Sequence, residues 1–322
     1  MRRSIGYGVY ADKVRGCFLG KTVIGTLGAP YEGVKMPMEL PFRNEMVNTM
    51  LPNDDLDLQV LWLDVVEKHG LDFTSALLQQ AFAENCDYSP GEYAIMRKNY
   101  HKRIYPPYSG EFCNDYYIEG MGCPIRSEIW ACLAPGAPEA AAELASRDGI
   151  LDHKGESVYA ERFFAAMEAE AFFESDMFVL IETGLSVIPE DCKFRSLVED
   201  VVGFCRRHAD IKAVLADILF KYGHPDCTNM FQNMGITLAA LILGDTDIIK
   251  TGMAALNCGF DTDCNGATVG SVFGMMHGIG SIDTVWKAPV RDMLDTSIFG
   301  VGKVGVDEMV ERTMGHIRLK RG

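Results

Sequence analysis

Two short acidic motifs contain the residues best suited to chemistry. Asn53, Asp54 and Asp55 precede one apolar segment, and Asp261 and Asp263 precede another. Acidic residues are common in the first turn of a helix, where they accept hydrogen bonds from backbone N–H groups and interact favourably with the helix dipole. Taken singly, each motif is therefore best interpreted as an ordinary helix start.

Taken together, the two motifs predict a cation site. Both lead directly into a core-type helix, so their four Asp carboxylates would share one pocket if the helix starts converge. Two carboxylates about 4 Å apart repel by roughly 4 kcal/mol at an effective dielectric near 20, so the cluster needs protons or cations. Two divalent ions would neutralise it, and hard oxygen ligands favour Mg²⁺, Mn²⁺ or Ca²⁺ over zinc.

The helix after the second motif is thinned by glycine at intervals of four, at Gly266, Gly270, Gly274 and Gly278. Positions four apart share one helix face, so this face carries no side chains. Each such glycine costs about 1 kcal/mol relative to alanine. The pattern predicts a central helix that another helix approaches closely, and this packing is compatible with either interpretation of the acidic residues.

Helical periodicity dominates the chain and predicts an all-α protein of about a dozen helices with few or no strands. The clearest periodic or apolar segments are 57–70, 138–150, 156–173, 194–208, 211–223, 233–244 and 247–259. No linker, charge block or fixed repeat divides the sequence, which favours a single domain over residues 1–322. One interruption, 103–124, is rich in Pro, Gly and Tyr, and loops of such length are often functional.

Composition and charge narrow the classes of partner. The chain of 322 residues has a net charge of −15, which argues against a broad nucleic-acid interface because phosphate contacts need Lys and Arg. No apolar stretch has the length of a membrane span and the N-terminus lacks a signal-peptide core, so we expect a cytoplasmic protein that does not bind membranes. The ten cysteines lack zinc-site spacing, and we expect them to be mostly buried thiols.

A basic, tyrosine-rich run at 93–108 stands out on this acidic chain. It could hold a diphosphate and stack an adenine. The alternative, a solvated helix face with tyrosines packed beneath it, is the better interpretation of the run alone.

Three stretches, in order, resemble the ADP-ribosylglycohydrolase family. They are "RGCFLGKTVIGTLGAPYEG" (15–33), similar to the family's opening helix with G-D-x-x-G and a following Glu; "NDDLDLQ" (53–59), at the place of T-D-D-T; and "GFDTDCNGATVGSVFG" (259–274), similar to D-T-D-[ST]-x-A-A-x-x-G-x-x-x-G. Between them, 120–135 resembles the N-G-x-x-M-R-x-x-P segment and 148–172 the helix after the family's T-H. The D-T-D segment is the most specific of these.

The resemblance implies an all-α fold with two metal ions, usually Mg²⁺, in a central cleft. It also implies hydrolysis of the bond between the anomeric carbon of ADP-ribose and a protein side chain or small acceptor. Matched position by position, the metal ligands would be Asp54, Asp55, Asp261 and Asp263, with Asn53 and Cys264 at the flanking ligand positions. Glu32 or Asp55 would orient or deprotonate the attacking water, and the substrate would contact Gly122, Arg126 and His153.

The sequence departs from the family pattern at several of these positions. Asn53 and Cys264 stand where the family has Thr or Ser, Leu56 replaces the closing Thr of T-D-D-T, and Thr26 replaces the Asp of G-D-x-x-G. An amide oxygen can still bind a hard ion, whereas a thiol is a poorer ligand for Mg²⁺. We therefore expect one of the two metal positions to be weaker, with Mn²⁺ as a second candidate ion.

Three functions fit these residues. The leading hypothesis is a metal-dependent hydrolase acting on an ADP-ribosylated protein or a small ADP-ribose derivative. The second is a non-catalytic ADP-ribose or nucleotide binder whose metal site has degraded, and the third is a hydrolase of another ribosyl substrate.

Overall fold

Helices form nearly all of the regular structure. The computed structural model describes residues 4–317 except positions 42, 44, 46, 48–52, 89–90 and 245. Within that part of the chain, sixteen α-helices accompany an antiparallel ribbon of β1 (Met293–Asp295) and β2 (Lys303–Gly305), plus short 3₁₀ turns. The helices are α1 (Tyr7–Gly28), α2 (Asp54–His69), α3 (Ser75–Asn85), α4 (Gly91–His101), α5 (Tyr108–Glu111), α6 (Glu128–Leu133), α7 (Pro138–Gly149), α8 (Glu156–Ala171), α9 (Met177–Leu185), α10 (Lys193–Arg207), α11 (Ile211–Tyr222), α12 (Met230–Leu243), α13 (Ile248–Leu256), α14 (Thr262–His277), α15 (Thr284–Lys287) and α16 (Val306–Met314).

The predicted all-α fold is confirmed, and each periodic segment coincides with a helix to within a few residues. The first of them begins at Asp54, three residues before its predicted start at 57, because Asn53 caps α2. Leu51 and Pro52, which precede Asn53 in the sequence, lie outside the described residues. Among the helices of the described chain, none combines the length and apolarity needed to cross a bilayer. All ten cysteines are unpaired thiols, and six of the ten are buried outside the acidic motifs.

The glycine face of α14 packs directly on α1. A Cβ added at Gly270 would lie 2.2 Å from the carbonyl oxygen of Gly20, and one at Gly274 would lie 2.0 Å from that of Gly16. The converse also holds, since a Cβ at Gly20 would lie 2.2 Å from the Gly270 oxygen. The two backbones therefore touch through glycine on both helices, and the sequence pattern is explained for these positions. Gly278 instead ends α14 with a φ of +76°, where a side chain would be strained.

We expect Gly274→Ala to lower the free energy of unfolding by about 2 kcal/mol or more, since the new methyl group meets backbone that cannot move aside. The matched control is Gly203→Ala on α10, where the nearest atom to the added Cβ is 3.7 Å away. There the better helix propensity of alanine should leave stability equal or raise it by up to about 1 kcal/mol. Urea denaturation of both variants checks this, and equal effects would contradict close contact between α1 and α14.

The close approach of α1 and α14 brings the chain after α1 to the start of α14. A Cβ at Gly28 would lie 2.5 Å from the Thr262 carbonyl oxygen, and the Thr262 hydroxyl donates a 2.8 Å hydrogen bond to the Gly28 carbonyl. Beyond this contact, Gly33 and Phe260 are joined by a backbone hydrogen bond of 2.8 Å. Glu32 is thereby fastened beside the loop that holds Asp261.

Candidate metal centre and active site

The start of α2 is capped by an amide rather than by its carboxylates. The side-chain oxygen of Asn53 accepts a 2.7 Å hydrogen bond from the backbone N–H of Asp55, and the Asn53 NH₂ group lies 3.4 Å from Asp263 Oδ2. The oxygen that was expected to bind a cation is therefore engaged as the helix cap in this geometry. Asn53, and not Asp54 or Asp55, is therefore the side chain that caps α2.

At the start of α14, the N-cap carboxylate does not cap its helix. Asp261 occupies the N-cap position of α14 but its side chain makes no capping hydrogen bond. Buried oxygens without a hydrogen-bond partner in the described chain include both carboxylate oxygens of Asp55, Oδ1 of Asp261 and Oδ1 of Asp263. Buried polar atoms are normally satisfied, so ordinary helix capping does not account for these three carboxylates.

The two helix starts converge as the sequence predicted. One ligand atom each from Asp55, Asp263 and Cys264 lie within 4.8 Å of one another, and so do those of Glu32, Asp261 and Asp263. We call these the Asp55 cluster and the Asp261 cluster; Asp263 belongs to both. Asp54 is outside both sets, and its carboxylate accepts a 2.9 Å hydrogen bond from Tyr93. Such a set of oxygens, most of them buried, suits a divalent cation.

Burial and mutual repulsion raise the pKa of these carboxyl groups. Burial and then Asp263 raise the pKa of Asp54 to about 6. The same two causes hold the pKa of Asp261 well above its usual range. For Asp55, burial raises the pKa well above the usual range although Lys21 opposes the shift. Glu32 is exposed as a residue, but desolvation of its carboxyl group, Asp263 and Asp54 raise its pKa to about 7.

These groups line a cleft with a volume of about 780 Å³. The predicted long interruption at 103–124 contributes Tyr116, Tyr117, Met121 and Gly122 to its wall. A Cβ at Gly122 would lie 2.2 Å from Glu92 Oε1, so glycine leaves room for that carboxylate in its present position. The cleft thus combines an acidic floor with an aromatic rim.

Arg126 and His153 lie behind the wall rather than on it. Both are fully buried. The Arg126 guanidinium binds Asp152 through two hydrogen bonds of 2.8 and 2.9 Å, and it donates a 2.9 Å bond to Asp148. Its remaining contact, 2.7 Å to the Gly122 carbonyl, supports the cleft wall from the rear. The predicted direct contact of Arg126 with a ligand does not fit this burial.

His153 connects the same network to the cleft. Its Nδ1 lies 2.7 Å from Asp152 and its Nε2 lies 3.5 Å from Glu92. Burial alone would lower the pKa of His153, but Asp152 and Glu92 raise it to about 9. The imidazolium therefore stands between a buried carboxylate and a cleft carboxylate. The predicted contact between His153 and substrate does not fit its burial: His153 contacts Glu92, and Glu92 lines the cleft.

Sequence reasoning did not single out Glu92, Lys21 or Glu128, although all three belong to this region. Lys21 was detectable as the one basic residue within the small, apolar stretch "GCFLGKTVIG" (16–25). Glu92 gave no comparable signal, because it precedes the basic run at 93–108. That run borders a separate shallow groove through Arg97, Lys98, His101 and Lys102, and only its Tyr93 lines the cleft.

We expect the affinity of the cleft for Mn²⁺ to rise at least about tenfold between pH 5 and pH 7.5. Protons compete with the cation at Glu32, whose pKa is raised to about 7, and protonation of the neighbouring Asp54 near pH 6 removes negative charge beside the ion. Affinity therefore falls as pH drops through those values. Titration calorimetry in buffers of different ionisation enthalpy should also show protons released at pH 6. An affinity that is constant over this range would contradict the raised pKa values.

Comparisons with known proteins identify the family and the fold. The family model described as ADP-ribosylglycohydrolase matches residues 8–320. A solved structure titled "ADP-ribosylglycohydrolase-related protein complex" is similar in fold, with a TM-score of 0.69 and 19% sequence identity over 96% of this chain and 98% of that chain. No curated protein matches significantly. Because the family model spans almost the whole sequence, the chain belongs to the ADP-ribosylglycohydrolase family.

Proposed function

We propose that this protein is a metal-dependent hydrolase that cleaves the glycosidic bond between ADP-ribose and a protein side chain or small acceptor. The observation that carries the proposal is the set of unsatisfied buried oxygens on Asp55, Asp261 and Asp263 at the floor of one cleft. Such a set is stable only with protons or cations. A volume of about 780 Å³ is within the range of pockets that bind nucleotide-sized ligands.

The donor set fits a hard divalent ion such as Mg²⁺ or Mn²⁺. Asp261, Asp263 and Glu32 would hold it with carboxylate oxygens. When bound, the ion would supply a Lewis acid that lowers the pKa of a water and grips sugar hydroxyls. Cys264 is the weak member, because a thiol is a poor ligand for these ions.

The chain's own residues provide the other requirements of the reaction. Cleaving a bond to the anomeric carbon builds positive charge on the sugar, which the acidic floor of the cleft stabilises electrostatically. Glu32 is the best-placed base: with one of its carboxylate oxygens on the ion, the other could accept a proton from water. Tyr93 holds Asp54 through a 2.9 Å hydrogen bond, which fixes that carboxylate beside the reacting centre. Glu92 accepts hydrogen bonds from substrate at the wall.

The proposal is tested by incubating the purified protein with an ADP-ribosylated arginine peptide and with O-acetyl-ADP-ribose, each with and without Mn²⁺ or Mg²⁺. We expect free ADP-ribose to appear from at least one substrate, and only with metal. Glu32→Gln should bind ADP-ribose with nearly unchanged affinity while release slows by about 100-fold or more, since a general base contributes 10²- to 10⁴-fold. Release that continues in the presence of a chelator would contradict the proposal.

One observation favours a second candidate, a non-catalytic ADP-ribose binder. The side-chain oxygen of Asn53 already accepts the helix-capping hydrogen bond, and Cys264 offers a thiol. Two of the expected metal ligands are therefore weak. In the same experiment, this function gives calorimetric binding of ADP-ribose without turnover of either substrate at any metal concentration.

A further inference from the structure

Lys21 is a fully buried lysine under the floor of the cleft. It lies within α1, and its side chain has no solvent-accessible surface. The ammonium group donates a 2.8 Å hydrogen bond to the Ile125 carbonyl and a 2.7 Å bond to Glu128 Oε1. Its third neighbour is Oδ1 of Asp55, at 3.4 Å. A buried charge is tolerated only with such partners.

The ammonium group is also fixed in place. Glu128, its closest acidic partner, accepts a 2.7 Å hydrogen bond from Gln59 and a 2.8 Å bond from the Ser271 hydroxyl. These residues come from α2, α6 and α14, so three helices besides α1 hold the pair. The side chains of Lys21, Asp55 and Glu128 are all inaccessible to solvent.

The position of Lys21 makes the Asp55 cluster less suited to a divalent cation than the Asp261 cluster. A divalent ion bound by Asp55 would share that carboxylate with the Lys21 ammonium, which lies 3.4 Å from Oδ1. Two cations on one carboxylate repel each other strongly. The Asp55 cluster also includes the soft thiol of Cys264. The Asp261 cluster consists of three carboxylates, and no Lys or Arg in the described part of the chain forms an ion pair with Glu32, Asp261 or Asp263.

We propose that the centre takes one divalent cation, at Glu32, Asp261 and Asp263, and that Lys21 supplies the permanent positive charge on the Asp55 side. This inference rests on the metal centre of the proposed function. Lys21 is a positioning residue here: it holds Asp55 and Glu128, and it keeps a second ion from binding between Asp55 and Asp263.

The test counts ions. Purified protein is stripped with chelator and titrated with Mn²⁺ by calorimetry, and the bound metal is measured by elemental analysis after dialysis. We expect one Mn²⁺ per chain, with any second ion at least 100-fold weaker. Two ions of comparable affinity would overturn the proposal, and this first measurement needs no variant.

A double variant then isolates Lys21. Lys21→Met with Glu128→Gln removes the buried ion pair; the new amide oxygen can still accept the hydrogen bond from Gln59, and the new NH₂ group can donate to the Ser271 hydroxyl, so the protein is expected to fold. It should bind two Mn²⁺ ions. The control is Lys13→Met, on the same helix, whose ammonium binds the carbonyls of Ala171, Met275 and Met276 instead of carboxylates; it should still bind one. A folded double variant that stays at one ion would overturn the role of Lys21.

Failure of this inference and failure of the proposed function give different results. Metal-dependent release of ADP-ribose by a protein that holds two ions leaves the function intact and removes the single-ion centre. A protein that binds no Mn²⁺ at pH 7.5 would contradict both the single-ion centre and the proposed function.

Discussion

Replacing Asp263 by Asn is expected to reduce metal-dependent release of ADP-ribose by about 10³-fold and to weaken Mn²⁺ binding by more than 100-fold. Asp263 is the one carboxylate shared by both clusters, and a bound ion that polarises the reacting groups supplies several kcal/mol, each 1.36 kcal/mol being tenfold in rate. Steady-state release assays and Mn²⁺ calorimetry measure the two effects.

The chain offers a matched control for an acidic residue at a helix start. Asp247 precedes α13 and accepts hydrogen bonds from the backbone N–H groups of Ile249 and Lys250. Asn caps helices as well as Asp does, so Asp247→Asn should leave metal affinity and activity unchanged. If Asp263→Asn behaves like Asp247→Asn, the second acidic motif is only a helix start and the proposed centre is wrong.

Replacing Arg126 by Met is expected to lower the free energy of unfolding by about 3–5 kcal/mol. The change leaves Asp148 and Asp152 buried without their cation, and breaking a buried ion pair from one side costs that much. Burial raises the pKa of Asp152, but Arg126 and His153 together lower it to about 2. Urea denaturation at pH 7 measures the loss, and Arg126→Lys should recover only part of it because a lysine cannot form the paired bonds.

The control for this prediction is Arg207→Met, which removes an exposed ion pair with Asp217. Exposed pairs contribute about 1 kcal/mol or less. A stable Arg126→Met protein that has lost only its affinity for ADP-ribose would mean that Arg126 contacts ligand directly, contrary to its burial.

Sequence reasoning was most successful where a local pattern has one structural outcome. Helix periodicity located the helices, and the spacing of Gly270 and Gly274 predicted the close approach that α1 makes. Convergence of the two acidic motifs was only a condition of the predicted cation site, and it is the fold that brings Asp263 close to both Asp55 and Asp261. The catalytic and metal roles of these residues remain predictions.

The roles of Asn53, Arg126 and Lys21 depend on contacts that a sequence does not reveal. An Asn before a helix can cap it or bind a cation with the same oxygen, and only the position of the Asp55 N–H decides between them. Arg126 is held by residues 22 and 26 positions away, and Lys21 by a Glu 107 positions away. Composition and periodicity carry no information on such long-range pairs, because either residue would be equally acceptable on the surface.

The most direct test of the central claim is a crystal structure of the protein soaked in Mn²⁺ at pH 7.5, with anomalous scattering recorded at the manganese absorption edge. The account predicts a strong anomalous peak within bonding distance of carboxylate oxygens of Asp261 and Asp263 at the floor of the cleft. Anomalous density that is absent from the cleft, or that lies only at surface carboxylates, would show that the converging helix starts do not form a metal centre.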